Sequence, residues 1–130
     1  MSTFVERTSG REFQIRVNRR PMTLNAERKL HHMARAKQVR ELREYGAWLA
    51  TQQNVPALKA IYVDVEPHLR GNLQDADACH PTVKALIDGL VDAGVLADDT
   101  PDIVLAIRYV APVKSSSDYV ILTLREAIVD

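Results

Sequence analysis

Four aspartates carry the chemistry this sequence offers: Asp75 and Asp77, one residue apart, and the adjacent pair Asp98 and Asp99. Carboxylates gathered together repel unless a cation or a basic partner is close. Hard oxygen donors without a Cys/His set suit Mg²⁺ or Mn²⁺ rather than zinc. In extended chain the side chains of residues i and i+2 point the same way, so Asp75 and Asp77 reach one ion. Adjacent Asp98 and Asp99 diverge, so one ligates while the other bonds backbone or a second ion. Such a group reads as a divalent-metal site to which a phosphate-bearing substrate is brought.

Lys84 lies between the two acid pairs. It can steady a phosphate, orient a water, or pair with Asp88 at i, i+4. Cys79 and His80 are adjacent, and neighbours rarely attain the geometry of a nucleophile and its base. Cys79 reads better as a small buried residue, and His80 as a cap or a group behind the acids.

These residues need a frame that brings Asp98 and Asp99 back toward Asp77. Val83, Leu86, Ile87 and Leu90 fall at i, i+3, i+4 and i+7, which predicts a helix over 81–93 with Pro81 in its first turn and Gly94 just past its end. That helix carries the chain about 20 Å away. Residues 94–98, if extended, return roughly 15 Å. The acids converge if this loop doubles back, or else across a dimer.

Upstream, Glu12 to Val17 alternates, with Phe13, Ile15 and Val17 on one face, and predicts a half-buried strand after a loose start over 1–10. A loop with Arg19, Arg20 and Pro21 leads to Asn25, a cap for one long helix over 26–53 with Glu27 in its first turn. Val39, Leu42, Gly46 and Leu49 form its apolar stripe. Lys29, Ala36, Arg40 and Arg43 form a second stripe flanked by Arg28 and Arg35, and a basic stripe can lie along a phosphate backbone. A solvated face is the plainer reading, and Glu41 and Glu44 temper the C-terminal half, which favours Arg19, Arg20 and the first two turns as DNA contacts. His31 and His32 diverge on a helix, so they read as surface or substrate-adjacent residues and not as a shared ligand pair. Tyr45 and Trp48 read as core or interface.

Residues 58–66 predict a second strand, 67–74 a loop, 102–110 a third strand that is apolar on both faces and so central, and 118–124 a fourth strand in a hairpin with the third. This order predicts an α/β (α+β) fold in one domain over 1–130, a four-stranded mixed sheet packed with one long and one short helix. At 130 residues and 46% apolar, one core is available and disorder is excluded. Residues 1–50 carry a balance of +6 and residues 51–130 one of −6, which fits a grip on a polyanion beside a cation site, or two halves neutralising each other. No secretory signal or membrane span is read, and one cysteine fits a reducing cytoplasm.

The arrangement Asp75-x-Asp77, Lys84-Ala-x-x-Asp88-x-Leu90 and Gly94-Val-Leu-x-Asp98-Asp99, followed by a strand near Ile103, resembles the RusA family of Holliday-junction endodeoxyribonucleases, which phages and prophages often encode. The resemblance covers residues 58–110 well and takes in the upstream strand, Pro21 loop and basic helix. It implies a small homodimer that binds four-way DNA junctions in the bacterial cytoplasm and nicks them symmetrically with Mg²⁺, in recombination and repair. It implies metal-binding and catalytic roles for Asp75, Asp77 and Asp99, with Asp98 beside them, and a catalytic role for Lys84. Two positions depart from the family's pattern. Ala78 stands where Asn is frequent, and the spacing from Asp77 to Lys84 is three residues longer than in the best-known members. They leave room for a member that binds junctions without cutting them.

Overall fold

The computed structural model describes residues 3–22, 24–29 and 31–130. In chain order the elements are β1 (Thr8–Val17), α1 (Leu24–Lys29), α2 (His32–Gln52), β2 (Ile61–Leu69), α3 (His80–Asp92), β3 (Val104–Tyr109), β4 (Val113–Lys114) and β5 (Tyr119–Ala127). They form the expected small α+β domain with a mixed sheet. The strand order is β1-β5-β2-β3, and the short β4 lies beside β2 beyond the end of β3. β5 is antiparallel to both β1 and β2, whereas β2 is parallel to β3 and β4.

The period-2 pattern decides which face is buried. Ile15 and Val17 of β1, Ile61, Val63 and Val65 of β2, and Val120, Leu122 and Leu124 of β5 turn inward against Leu49 and Ala50 of α2 and Val83, Leu86, Ile87 and Leu90 of α3. Each such side chain stabilises the fold by roughly 1.5–3 kcal/mol through burial. The two helices meet closely because glycine stands at the crossing. A Cβ on Gly46 would lie 3.0 Å from the Leu86 carbonyl oxygen, and one on Gly89 would press into the Arg43 carbonyl and come within 2.9 Å of the Ala47 nitrogen. Arg43 then grips Asp92 at the end of α3, with Nη2 2.7 Å from Oδ1. The opposite sheet face carries a small cluster of Ala60, Tyr62 and Ala127 with Leu105 and Ala106. Residues 3–7 lie over it. The Phe4 ring meets Tyr62 edge-on, the Arg7 N–H donates to the Tyr62 hydroxyl at 3.0 Å, and Glu6 accepts from Arg125 at 2.9 Å.

Several expectations need correction. The single long helix over 26–53 is two: α1 ends at Lys29 and α2 begins at His32. His31 is extended, with ψ 143°, and its Nδ1 accepts the Met33 N–H at 3.3 Å, so a histidine caps α2 in place of continuing a helix. The side chains of Asn25 and Glu27, expected to cap and start the helix, lie outside the described residues. β1 begins at Thr8, inside the stretch read as loose, with a register shift between Thr8 and Glu12 and Gly10 at φ +93°. Trp48 is 56% exposed and stacks on Tyr45, so of the two only Tyr45 belongs to the core.

The predicted hairpin does not form, and β3 is an outer strand. β2 lies between β3 and β5, because the connection from β2 to β3 runs through α3 and delivers β3 parallel. β3 is apolar on both faces because both faces find cover: Ile107 and Tyr109 pack on the main core, Leu105 and Ala106 on the smaller cluster. β2 also runs through Pro67, read as loop, to Leu69. Pro67 sits where the neighbour on one side changes from β3, last paired at Val65, to β4, first paired at His68.

Candidate functional site

The β2-α3-β3 unit fixes where the acidic residues stand. In parallel units the loops beyond the carboxyl ends of the strands form the usual binding crevice. Here the chain leaving β2 supplies Arg70 to Asp77, β3 ends on Tyr109, and α3 starts at His80. Gly71, at φ +65°, turns the chain out of the strand.

Asp75 and Asp77 border a tight turn that leads into α3. The Ala78 N–H donates to the Asp75 carbonyl at 3.0 Å and the His80 N–H to the Asp77 carbonyl at 3.1 Å. The chain is not extended there, so the backbone does not impose the common side-chain direction expected of i and i+2. Both residues are exposed. The Cys79 side chain is buried directly behind them, and burial pushes its thiol up to about 11, which keeps it protonated and inert at neutral pH. His80 Nδ1 lies 2.5 Å from the Tyr109 hydroxyl, tying the first residue of α3 to the end of β3. Burial, with the charges of Cys79 and Asp77 nearby, raises Tyr109 to about 12. Sequence reading missed Tyr109. Its signal was an aromatic at the carboxyl end of a strand whose partner strand feeds the acid turn.

The returning loop does double back. α3 closes with the Gly94 N–H on the Val91 carbonyl and the Val95 N–H on the Leu90 carbonyl, both at 3.0 Å, with Gly94 at φ +80°. Val95 and Leu96 are buried, and the Val95 carbonyl accepts the Leu58 N–H at 2.8 Å. From there the chain runs back along α3 until Asp99 meets Lys84, which also donates to Asp88 at 2.9 Å. Lys84 is the fifth residue of α3, its backbone about 6 Å along the axis from the helix start, so Asp99 pairs with a residue of the first half of α3. Asp98 takes the backbone alternative, accepting the Asp99 N–H at 2.8 Å. The Lys84 ammonium holds the Asp99 carboxyl below its usual range, and Asp99 in turn raises Lys84. Of the roles open to Lys84, the structure displays pairing, with two carboxylates at once.

The donor chemistry suits a hard divalent ion, but the arrangement within one chain does not assemble it. Among the described residues no three His, Cys, Asp or Glu side chains form a group that could hold an ion. Asp99 is engaged by Lys84. One further acceptor stands next to Asp75: Gln74 Oε1 is buried without a hydrogen-bond partner.

The basic candidates divide. Arg28 and Lys29 occupy the last turn of α1, and Arg35 and Arg40 lie on α2, with Arg28, Lys29 and Arg40 exposed and Arg35 partly covered. Arg19 is exposed in the loop after β1. Arg20 is a strap: Nη1 donates to the Arg70 carbonyl at 3.1 Å and Nη2 to the Asn72 carbonyl at 3.0 Å, while Asp118 lies 3.4 Å away. It ties the loop after β1 to the start of the acidic loop. No helix among the described residues is long and apolar enough to cross a membrane. No family model matches the chain, and no curated protein matches it at a significant level.

Proposed function

We propose that the chain is a Mg²⁺-dependent (or Mn²⁺-dependent), structure-selective endodeoxyribonuclease that resolves four-way DNA junctions as a two-fold homodimer, in bacterial DNA recombination or repair. The observation that favours this reading is the return of residues 94–99. Through it, Asp99 meets Lys84 in the first half of α3, at the end of the β2-α3-β3 unit that also carries Asp75 and Asp77. The order of these four residues is that of the RusA resemblance, with the longer Asp77-to-Lys84 spacing as its departure.

In this reading Asp75, Asp77 and Asp99, with Asp98 beside them, hold the ion. Their gathering needs either a shift of the Asp99 loop away from Lys84 or a carboxylate from the second copy. A divalent ion held by these carboxylates would supply a water of lowered pKa and would neutralise charge at the phosphate. Lys84, released from Asp99 and keeping Asp88, would then turn part of its ammonium to the phosphate or the leaving oxygen. The turn at 75–79, fixed by its backbone hydrogen bonds and by His80 on Tyr109, holds Asp75 and Asp77 toward solvent, where a strand can approach. Two copies related by a two-fold axis present two such sites to two strands, as paired incisions require.

The test is incubation of a labelled four-way junction with the protein in the presence and absence of Mg²⁺. Paired nicks with the metal, and none in chelator, are expected. Intact binding without nicking under any divalent ion would eliminate the activity. It would leave a second reading, a junction-binding protein without catalysis, which Ala78 and the double engagement of Lys84 favour.

A further inference from the structure

The sheet corner beside the start of the acidic loop gathers basic residues from separate elements. Register brings it together: Val17 pairs with Val120, His68 with Tyr119 and with Val113, and Leu69 with Lys114. The ends of β1, β5, β2 and β4 therefore lie side by side. They carry Arg16, Arg19, Arg20, Arg70 and Lys114 against Asp118 and Glu66.

Several groups in this corner have defined partners. The Arg16 guanidinium lies over the Tyr119 ring at 3.7 Å, its Nε donating to Asn18 at 2.7 Å, and the His68 ring stacks on Tyr119 at 4.4 Å. Asp118 accepts the Arg70 N–H at 2.8 Å, a bond that keeps its carboxyl charged well below the ordinary range. One acid thus serves both Arg20 and Arg70, and the Arg70 side chain, 68% exposed, lies 3.5 Å from it at its nearest. The strap donated by Arg20 holds the Arg70 and Asn72 carbonyls and so links the basic corner to the start of the acidic loop.

We propose that this corner binds the phosphate backbone of the DNA strand presented to the acid turn, with Arg70 as its principal contact, Arg16, Arg19 and Lys114 flanking it, and Arg20 positioning the loop. This rests on the nucleic-acid part of the function proposed above, keeps the loop after β1 among the DNA contacts and moves the main grip from the first helical turns to Arg70. Asp75 is five positions on from Arg70, at most about 17 Å of chain. At roughly 3.4 Å of rise per nucleotide, Arg70 meets the strand within about five nucleotides of the acid turn.

The experiment is fluorescence anisotropy with a labelled four-way junction and a matched linear duplex, in chelator so that no cutting intervenes, from low to moderate salt. Arg70→Ala is expected to weaken binding by about threefold to tenfold and to lower the log–log salt slope by about one. Arg16→Ala and Lys114→Ala should act in the same direction and less. Lys59→Ala, the same charge change at the other end of β2, should leave both quantities unchanged. Equal losses on both probes assign the corner to a duplex arm, and losses on the junction alone assign it to the crossing strands; either supports the proposal. Wild-type affinity and slope in Arg70→Ala and Arg16→Ala, with the loss following Arg28, Arg35 and Arg40, would overturn it while sparing the nuclease reading. Absence of any DNA binding by the wild-type protein would remove both.

Discussion

The two halves of the acidic stretch differ in what neutralises them. Asp98 and Asp99 are already served: one accepts a backbone N–H and the other meets the Lys84 ammonium. Asp75 and Asp77 face solvent, and their turn is held through its backbone and through His80 on Tyr109. One half is stabilised by its own charge pair. The other is held from behind, with both residues exposed. Four acids close in sequence are therefore two electrostatic situations on either side of α3.

The largest expected effect falls on the open half. Asp75→Asn and Asp77→Asn should each lower junction cleavage on the order of 10²–10³-fold, with junction affinity in chelator and melting temperature unchanged. Equal sensitivity of binding and cleavage would erase the contrast between the halves. The next effect falls on what both halves share. Gly89→Ala places a methyl group against the Arg43 carbonyl, so α2 and α3 must part, at about 1–3 kcal/mol in denaturant unfolding. Cleavage and DNA binding should then fall together.

Tyr109→Phe separates the two halves more finely. It removes the hydroxyl that holds His80 and should cost about 0.5–1.5 kcal/mol. Faster amide exchange at Ala78 and His80, with no change at Asp99, would show that the support is local to the acid turn. The smallest effect is that of the served half. Lys84 and Asp99 are partly exposed, so their pair should contribute only about 0.2–1 kcal/mol. The Asp99 carboxyl is held below its ordinary 3.8, so its contribution is present above that value and lost as pH falls through the lowered one. Lys84 is raised above 10.5, so its contribution is present below that value and lost as pH rises through the raised one. A stability difference between wild type and Lys84→Met that shrinks at both ends of the pH scale is expected. A difference flat with pH would mean that packing, not charge, holds the loop.

The sequence carried the local pattern well. Phe13, Ile15 and Val17, and the Val83–Leu90 stripe, sit where period 2 and period 3.6 place them, and Gly94 ends α3 as its left-handed backbone requires. What failed was long-range pairing. An apolar run such as Val104–Tyr109 looks central, yet an outer strand covered on both faces reads the same. Pro67 was read as a strand end, because the exchange of partners beside it leaves no mark on the chain itself. Arg20 illustrates the same limit. An exposed arginine in a loop reads as a DNA contact until the carbonyls of Arg70 and Asn72, some fifty residues away, are seen to take its hydrogens. His31 shows that a helix can break without Pro or Gly, when a side chain takes over a backbone donor.

The lone tryptophan has a practical consequence. Trp48 stands on the outer side of α2, more than half in water and stacked on Tyr45. Its emission in the folded protein will already resemble that of a solvated indole, so denaturation followed by intrinsic fluorescence will underreport loss of the sheet. The same placement makes it a reporter of anything that settles on α2: quenching or a blue shift on adding DNA would mark that helix, and silence would direct attention to the other side of the molecule.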